Sequence, residues 1–264
     1  MADDAIELRV GDRLFTRYHH GAGMARPYFA PLLDGSGRRV TREAGAGADH
    51  PHHRGVWFGH RDVGGTDHWT ELPGHGRMVH RGFDGVDRTG LRERLDWLGA
   101  DGEPMLGETR AVRVHPAGES ALALDVELRL RAADAAVTLG QTKDAGFAVR
   151  LAPWLRADTG GQLQSSEGSE GEGQCWGRRA RWCDASGPVD GSIVGVALLD
   201  HPANPGHPTT WHVRDYGLVA ANPFLARSIE VGAGVELAFR YRLLVHAGDA
   251  AAAGMEDRYR EFAG

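Results

Sequence analysis

The chain has 264 residues, 41% of them hydrophobic and 25% charged, which excludes wholesale disorder and supports a sizeable buried core. A formal net charge of -6 and a pI near 6.1 leave no basic footprint for nucleic acid, which is gripped through clustered Lys and Arg at its phosphates. No run approaches the roughly 18 apolar residues of a membrane helix. The acidic start MADDAIELRVGDRLF has neither the basic nor the apolar part of a secretion signal, so the expected location is the cytoplasm and neither membrane nor nucleic acid is an expected partner.

The predicted elements are mostly strands. Ile6 to Val10 opens the series, followed after the Asp34-Gly35 turn and a histidine-rich stretch by Thr109 to Val114 and by Ala121 to Leu130, which alternates apolar and polar residues. Ala136 to Gly140 and Phe147 to Leu151 come next. Residues 156 to 174, rich in Gly, Ser and Glu, have little to bury and are expected to form a long loop. Ile193 to Leu198 follows the Asp190-Gly191 turn, and Val235 to Val245 repeats the period of two. One helix is expected at the C-terminus, where Met255, Tyr259 and Phe262 share a face. No strand-helix-strand alternation and no linker are visible, so residues 1 to 264 are expected to form a single domain, a size that large β-sandwiches of about 200 to 250 residues approach.

Chemistry is concentrated between His50 and His80, which hold seven of the 14 histidines. Histidine exchanges protons near neutral pH and is also the commonest metal ligand, so two readings compete. In the first, His52, His53 and His60 are acid/base groups oriented by one of the carboxylates in the same stretch, Asp49, Asp62, Asp67 or Glu71. In the second, His50, His52 and His60 hold a divalent metal, although Pro51 between the first two favours a loop or sheet edge over a regular strand. His50, Arg54, Trp57, Asp62, Asp67 and Trp69 are candidate substrate contacts, joined by Trp176, Arg214 and Asn222 farther along; tryptophan faces stack on sugar rings, and Arg or Asn binds hydroxyls and carboxylates. Lys143 is the only lysine beside 29 arginines and lies next to Asp144 in a turn, which makes it a further catalytic candidate. Cys175 and Cys183 are the only cysteines, too few for a disulfide framework, and are expected to be free thiols.

The blocks RPYFAPLLDGSGRRVTRE, DHPHHRGVWFGHRDVGG, TKDAGFAVRLAP, WGRRARWCDASG, LLDHPANPGHPTTWHVRDYGLVAANPF and RYRLLVH resemble a β-rich bacterial family of unknown function commonly labelled methane oxygenase PmoA. The label conflicts with the sequence, because the membrane subunit of methane monooxygenase spans the bilayer repeatedly and this chain has no spanning segment. The resemblance implies a place in carbohydrate metabolism and carries no established catalytic residues. Where members more often show VNGVDFW, this chain has Val63-Gly64-Gly65-Thr66-Asp67-His68-Trp69, and His68 signals an altered substrate.

The expected fold is all-β, a large antiparallel β-sandwich resembling the galactose-mutarotase-like supersandwich, with a double-sheet jelly roll as the alternative. The expected function is an enzyme acting on a sugar, glycoside or sugar-like product by histidine acid/base catalysis, through epimerisation, elimination or glycosidic cleavage. The alternatives are a histidine-ligated metal oxygenase or lyase and a non-catalytic carbohydrate-binding protein. No cofactor is expected beyond that possible metal; the expected partner is a sugar-like small molecule, and a homo-oligomer is allowed.

Overall fold

In the computed structural model, residues 5–42 and 49–264 are described; the acidic start Met1 to Asp4 lies outside them. With strands numbered along the chain, one seven-stranded antiparallel sheet runs in the order β1 (Ala5–Val10), β2 (Arg13–His19), β3 (Tyr28–Leu32), β4 (Val56–His60), β10 (Ala145–Arg150), β15 (Leu218–Ala221), β14 (Trp211–Arg214). An eight-stranded antiparallel sheet runs in the order β11 (Gln162–Ser165), β12 (Trp182–Val189), β13 (Ser192–Asp200), β17 (Glu236–Ala247), β8 (Ala121–Ala132), β7 (Pro104–Pro116), β6 (Gly90–Leu98), β5 (Arg77–Asp87). A short pair, β9 (Val137–Leu139) with β16 (Ile229–Val231), stands beside them.

The chain is thus an all-β sandwich. Sheets of seven and eight strands, with β5 to β8 forming one continuous meander, exceed the roughly eight-stranded total of a jelly roll. The alternating strands expected at Ala121 and Val235 pair with each other through β8 and β17, and both are longer than their sequence pattern suggested. The expected C-terminal helix is α2 (Met255–Ala263), with Met255 and Tyr259 buried against Ala123, Ala197 and Leu244 on the outer face of the eight-stranded sheet.

One expectation fails. Residues 156 to 174 do not form a plain loop: they hold edge strand β11 and the start of a one-turn helix, α1 (Gly171–Cys175). Leu163 is buried, and pairing of Gln162 to Ser165 with β12 supplies the backbone hydrogen bonds that so polar a segment was not expected to find. Cys175 and Cys183 are buried and unbridged, as expected.

The main core lies between the sheets, where Phe15, Phe29, Phe58, Phe147 and Trp211 from one meet Leu124, Leu128, Phe239 and Leu243 from the other. Into this apolar layer is set a polar network. Arg110, 1% exposed, donates to Glu108 Oε1 at 2.7 Å and to the Tyr18 hydroxyl at 3.1 Å, while Trp97 Nε1 donates to Glu108 Oε2 at 2.7 Å. The Tyr18 hydroxyl donates to Glu93, whose other oxygen contacts His80 Nδ1 at 2.6 Å. Burial pushes the Glu93 carboxyl up from the ordinary range, while Arg110 beside it opposes that rise.

Because Tyr18 belongs to one sheet and Arg110, Glu108 and Glu93 to the other, this network fixes how the sheets register. Arg110→Met should leave Glu108 buried without its cation and destabilise the fold by about 3–5 kcal/mol. Urea denaturation at pH 7 measures it, and a loss below about 1 kcal/mol would show that the network does not hold the sheets together.

Candidate functional site

The site lies on the face of the seven-stranded sheet turned away from the sandwich core. On β4, Val56 and Phe58 point inward and Trp57 outward; on β10, Phe147 and Val149 point inward while Ala148 and Arg150 point outward. The outer floor is made of Trp57, Ala148, Leu218 and Ala220, with Trp69, Tyr28 and Tyr216 packed over it. Burial of every residue of β4 and β10 shows that this outer face is covered. The cover is the histidine segment, residues 49 to 55, together with the turn around Asp67 to Thr70.

Two glycines make the arrangement possible. Gly55 has φ 59°, and a Cβ there would come within 2.0 Å of the Phe29 carbonyl oxygen; Gly146 has φ 101°, and a Cβ would meet the Ala221 carbonyl oxygen at the same distance. His50 also takes a left-handed φ of 48°, a conformation that costs a non-glycine residue about 1 kcal/mol or more and places its ring over its neighbours.

Those rings form a column. Tyr216 stacks on His50 at 5.3 Å, His50 on His53 at 4.9 Å and His53 on Trp57 at 5.1 Å, with interplanar angles of 18°, 7° and 21°. His52 stands edge-on to His53 at 4.5 Å, and Trp69 edge-on to it at 5.8 Å. Arg150 anchors the column from the sheet. Its guanidinium donates to Asp49 Oδ2 at 2.8 Å and to His53 Nδ1 at 3.3 Å, and lies 4.3 Å from the centre of the Tyr216 ring. Arg42 donates to the other Asp49 oxygen at 2.5 Å and to the His50 carbonyl at 2.8 Å. Buried Arg26 donates to the His52 carbonyl at 2.8 Å.

On the far side stand His212 and Arg214 of β14 and Asp144 at the start of β10. His212 Nδ1 is 3.9 Å from Asp144 Oδ1, and Asp144 Oδ2 pairs with Arg61 at 3.1 Å. Arg214 pairs with Glu172 of α1 at 2.6 Å and lies 5.6 Å from the ring centre of Trp176, which is 38% exposed. An exposed tryptophan next to a cation is an open aromatic platform.

The electrostatics favour neutral imidazoles. Burial, reinforced by the charges of Arg26 and His50, lowers His52 to about 4; burial, with His52, His50 and Arg150 adding to it, lowers His53 to about 2. Burial and the nearby Arg214 bring His212 to about 4 although Asp144 opposes them. The Asp49 carboxyl, which burial alone would raise, is held well below the usual carboxylate range by hydrogen bonds from Arg150 and His50 and by the charge of Arg42. Several buried polar atoms here have no hydrogen-bond partner among the described residues, Trp57 Nε1, Arg150 Nε and Arg42 Nε, while the His212 ring lies between the Asp144 carboxylate and the Lys143 backbone without a close hydrogen bond to a side chain. Unpaired buried polar atoms are uncommon in native folds, and several of them gather on this face.

The structure therefore brings together His50, His52, His53, Trp57, Trp69, Trp176 and Arg214, but not every candidate. His60 is a correction. It follows Phe58 at the period of two, so its ring points into the sandwich, edge-on to Phe224 at 4.5 Å, where its Nδ1 accepts the Asp62 N–H at 2.9 Å. The expected metal set of His50, His52 and His60 is not assembled, and no group of three His, Cys, Asp or Glu ligands converges among the described residues.

Other candidates are occupied by structural roles. Asn222 is fully buried and satisfied: its amide donates to the carbonyls of Thr142 and Lys143, and its oxygen accepts the Phe224 N–H. It positions the turn that delivers Asp144 and does not face a ligand. Asp67 accepts from Trp69 N, Thr70 N and the Thr70 hydroxyl, and Asp62 from Gly65 N, so both shape turns. Arg54 pairs with Glu71 at 2.7 Å. Lys143 sits exposed on its turn, not in a buried setting, and its ammonium makes no ion pair with a described residue.

Asp49, named from sequence as one of the carboxylates that could orient a histidine, does contact His50, whereas sequence reasoning does not single out Asp144, Arg150, His212 and Tyr216 as site members. For Arg150 and His212 the signal was strand alternation, which puts them on the faces opposite Val149 and Val213.

Two broad grooves lie elsewhere. One, of about 740 Å³, runs over the outer face of the eight-stranded sheet, where Arg242 pairs with Asp125 and Arg240 with Glu127. The other, of about 780 Å³, lies between the Val10–Arg13 and Pro116–Leu122 turns. Neither gathers unpaired buried polar atoms as the histidine face does.

The chain belongs to DUF6807, a family of unknown function, whose model matches residues 5–260. No curated protein matches it. Among the described residues, no helix is long and apolar enough to cross a membrane.

The depressed histidines set a pH dependence of stability. His53, His60, His68 and His212 are all buried, and burial lowers them to about 2, 3, 4 and 4 from an unfolded value near 6.5. The unfolded chain therefore takes up protons first. Stability is unaffected by these groups above pH 6.5, falls as pH drops below it, and stops falling only below each folded value. Each group contributes at most about 1.4 kcal/mol per pH unit inside that window. Denaturation midpoints should thus decline steeply from pH 7 to 4.5; a flat profile over that range would contradict the neutral, buried placement of these rings.

Proposed function

We propose that this protein is an enzyme that transfers protons on a sugar or sugar-like small molecule held on the outer face of the seven-stranded sheet. His52 is the general base, since its ring is half-buried, neutral at physiological pH and without a side-chain hydrogen bond that would occupy a nitrogen. His212 with Asp144 forms the second proton-transfer pair, and Trp176 with Arg214 provides the stacking surface and charge for a polyhydroxylated ring. The observation that carries the reading is the gathering of His52, His53 and His212, all held neutral by burial, beside the unpaired Trp57 N–H on one covered face. Arg150, Arg42 and Asp49 hold the base's neighbours in place.

Incubating the protein with free aldoses, ketoses, uronic acids and simple glycosides in D2O, followed by proton NMR and calorimetry, tests this. His52→Gln should lower turnover by about 100-fold or more while leaving binding and the melting temperature near the parent values. Lys143→Met should match the parent. Binding without turnover of any sugar would instead support the non-catalytic carbohydrate-binding reading. Activity that tracks a stoichiometric metal lost in His50 and His52 variants would support the metal-dependent one.

A further inference from the structure

His53 and His52 are adjacent in the chain and in space, yet their surroundings assign them opposite chemistry. The Arg150 guanidinium has only donors, so its 3.3 Å contact with His53 Nδ1 makes that nitrogen the acceptor and leaves the ring proton on Nε2. Taking a second proton at Nδ1 would set it against the guanidinium. Stacking between His50 and Trp57 fixes the plane of the ring, and within that plane the Arg150 contact holds Nδ1 toward the guanidinium. Nε2 makes no hydrogen bond with a described residue and is not among the buried unpaired atoms, so in a histidine only 3% exposed it keeps at most a narrow opening toward the surface. His52, edge-on to His53 at 4.5 Å and with its carbonyl pinned by Arg26, makes no side-chain hydrogen bond and keeps an open lone pair.

We infer that His53 is a fixed hydrogen-bond donor to a substrate carbonyl oxygen, and that the site takes sugars carrying a carbonyl beside the carbon from which His52 removes a proton. This rests on the sugar-handling reading above. In the step, the C–H bond breaks to His52, its electron pair forms a carbon–carbon double bond with the carbonyl carbon, and the carbonyl π electrons move to oxygen as an enediolate. His53 Nε2–H donates to that oxygen, where charge develops, and remains a neutral imidazole throughout. Return of the proton from His52 to the other carbon, while the hydroxyl proton on that carbon's oxygen passes to the former carbonyl oxygen across the cis enediolate, isomerises the sugar. Protonation of the original carbon from its opposite face by a second acid, which regains its proton through solvent as His52 releases its own, epimerises it. No oxidant or reductant is consumed. Alditols and glycosides without a carbonyl offer no oxygen that gains charge in this way, so the donor has nothing to stabilise.

The experiment pairs histidine NMR with isotope exchange. In ¹⁵N-histidine-labelled protein, His53 should show the Nε2–H tautomer and stay neutral from pH 8 down to 4.5, and Arg150→Met should release it into a tautomer mixture. In D2O, carbonyl sugars should gain deuterium next to the carbonyl. His53→Leu should slow this by about 100-fold or more, whereas His53→Gln, which keeps an N–H donor but cannot act as a base, should stay within about 10-fold of the parent. An Nδ1–H tautomer, or titration of His53 near 6.5, overturns the inference whether or not a sugar is bound, and this measurement on the unaltered protein decides even where His53→Leu does not fold. Turnover confined to sugars lacking a carbonyl overturns it while leaving the acid/base reading intact; the absence of binding or turnover with any sugar removes both.

Discussion

The histidine face depends on one contact, the reach of Arg150 out of β10 to Asp49. A guanidinium 2% exposed needs its charge met inside a β-sandwich, and here its two terminal nitrogens meet an imidazole nitrogen and a carboxylate and its face a tyrosine ring, from two different segments, while Nε stays unpaired. That one side chain ties the histidine segment to the sheet and to the hairpin carrying Tyr216. Arg42 grips the same carboxylate from the other side, so Asp49 is bracketed by two cations and stays ionised. Without this clamp, residues 49 to 55 would have only ring stacking to hold them over the floor.

The floor explains why the site could form there at all. Both faces of the central strands are buried, the inner one by the opposite sheet and the outer one by the histidine cover, which places imidazoles where water cannot stabilise their charged form. The same desolvation strengthens every polar contact made with a ligand and raises the cost of each unpaired donor. A buried Trp57 N–H without a partner is therefore costly. The opposite outer face, on the eight-stranded sheet, differs: Arg240 and Arg242 there pair with Glu127 and Asp125, and α2 covers one end.

Much of this was legible in the sequence. The period of two in Ala121 to Leu130 and Val235 to Val245, and the shared face of Met255, Tyr259 and Phe262, are local consequences of side-chain direction, and each appears in the fold as β8, β17 and α2. The density of histidine and tryptophan around DHPHHRGVW likewise pointed to the segment that forms the cover. Polar strands without alternation, such as β11, were not legible, because their only support is pairing with a distant partner.

The sequence by itself determined the class of fold, the helix at the end and the stretch in which histidine and tryptophan are concentrated, since composition and periodicity act over a few residues. Only the tertiary structure decided which histidines belong together. His53 and His60 are seven positions apart in one motif, yet strand alternation sends the second into the core, while Asp144, Arg150 and His212, roughly a hundred residues away or more, complete the face. Which side of a sheet a residue faces, and what covers that side, follow from register and from long-range pairing. Both depend on the whole chain closing into two sheets, and no window of sequence contains that information.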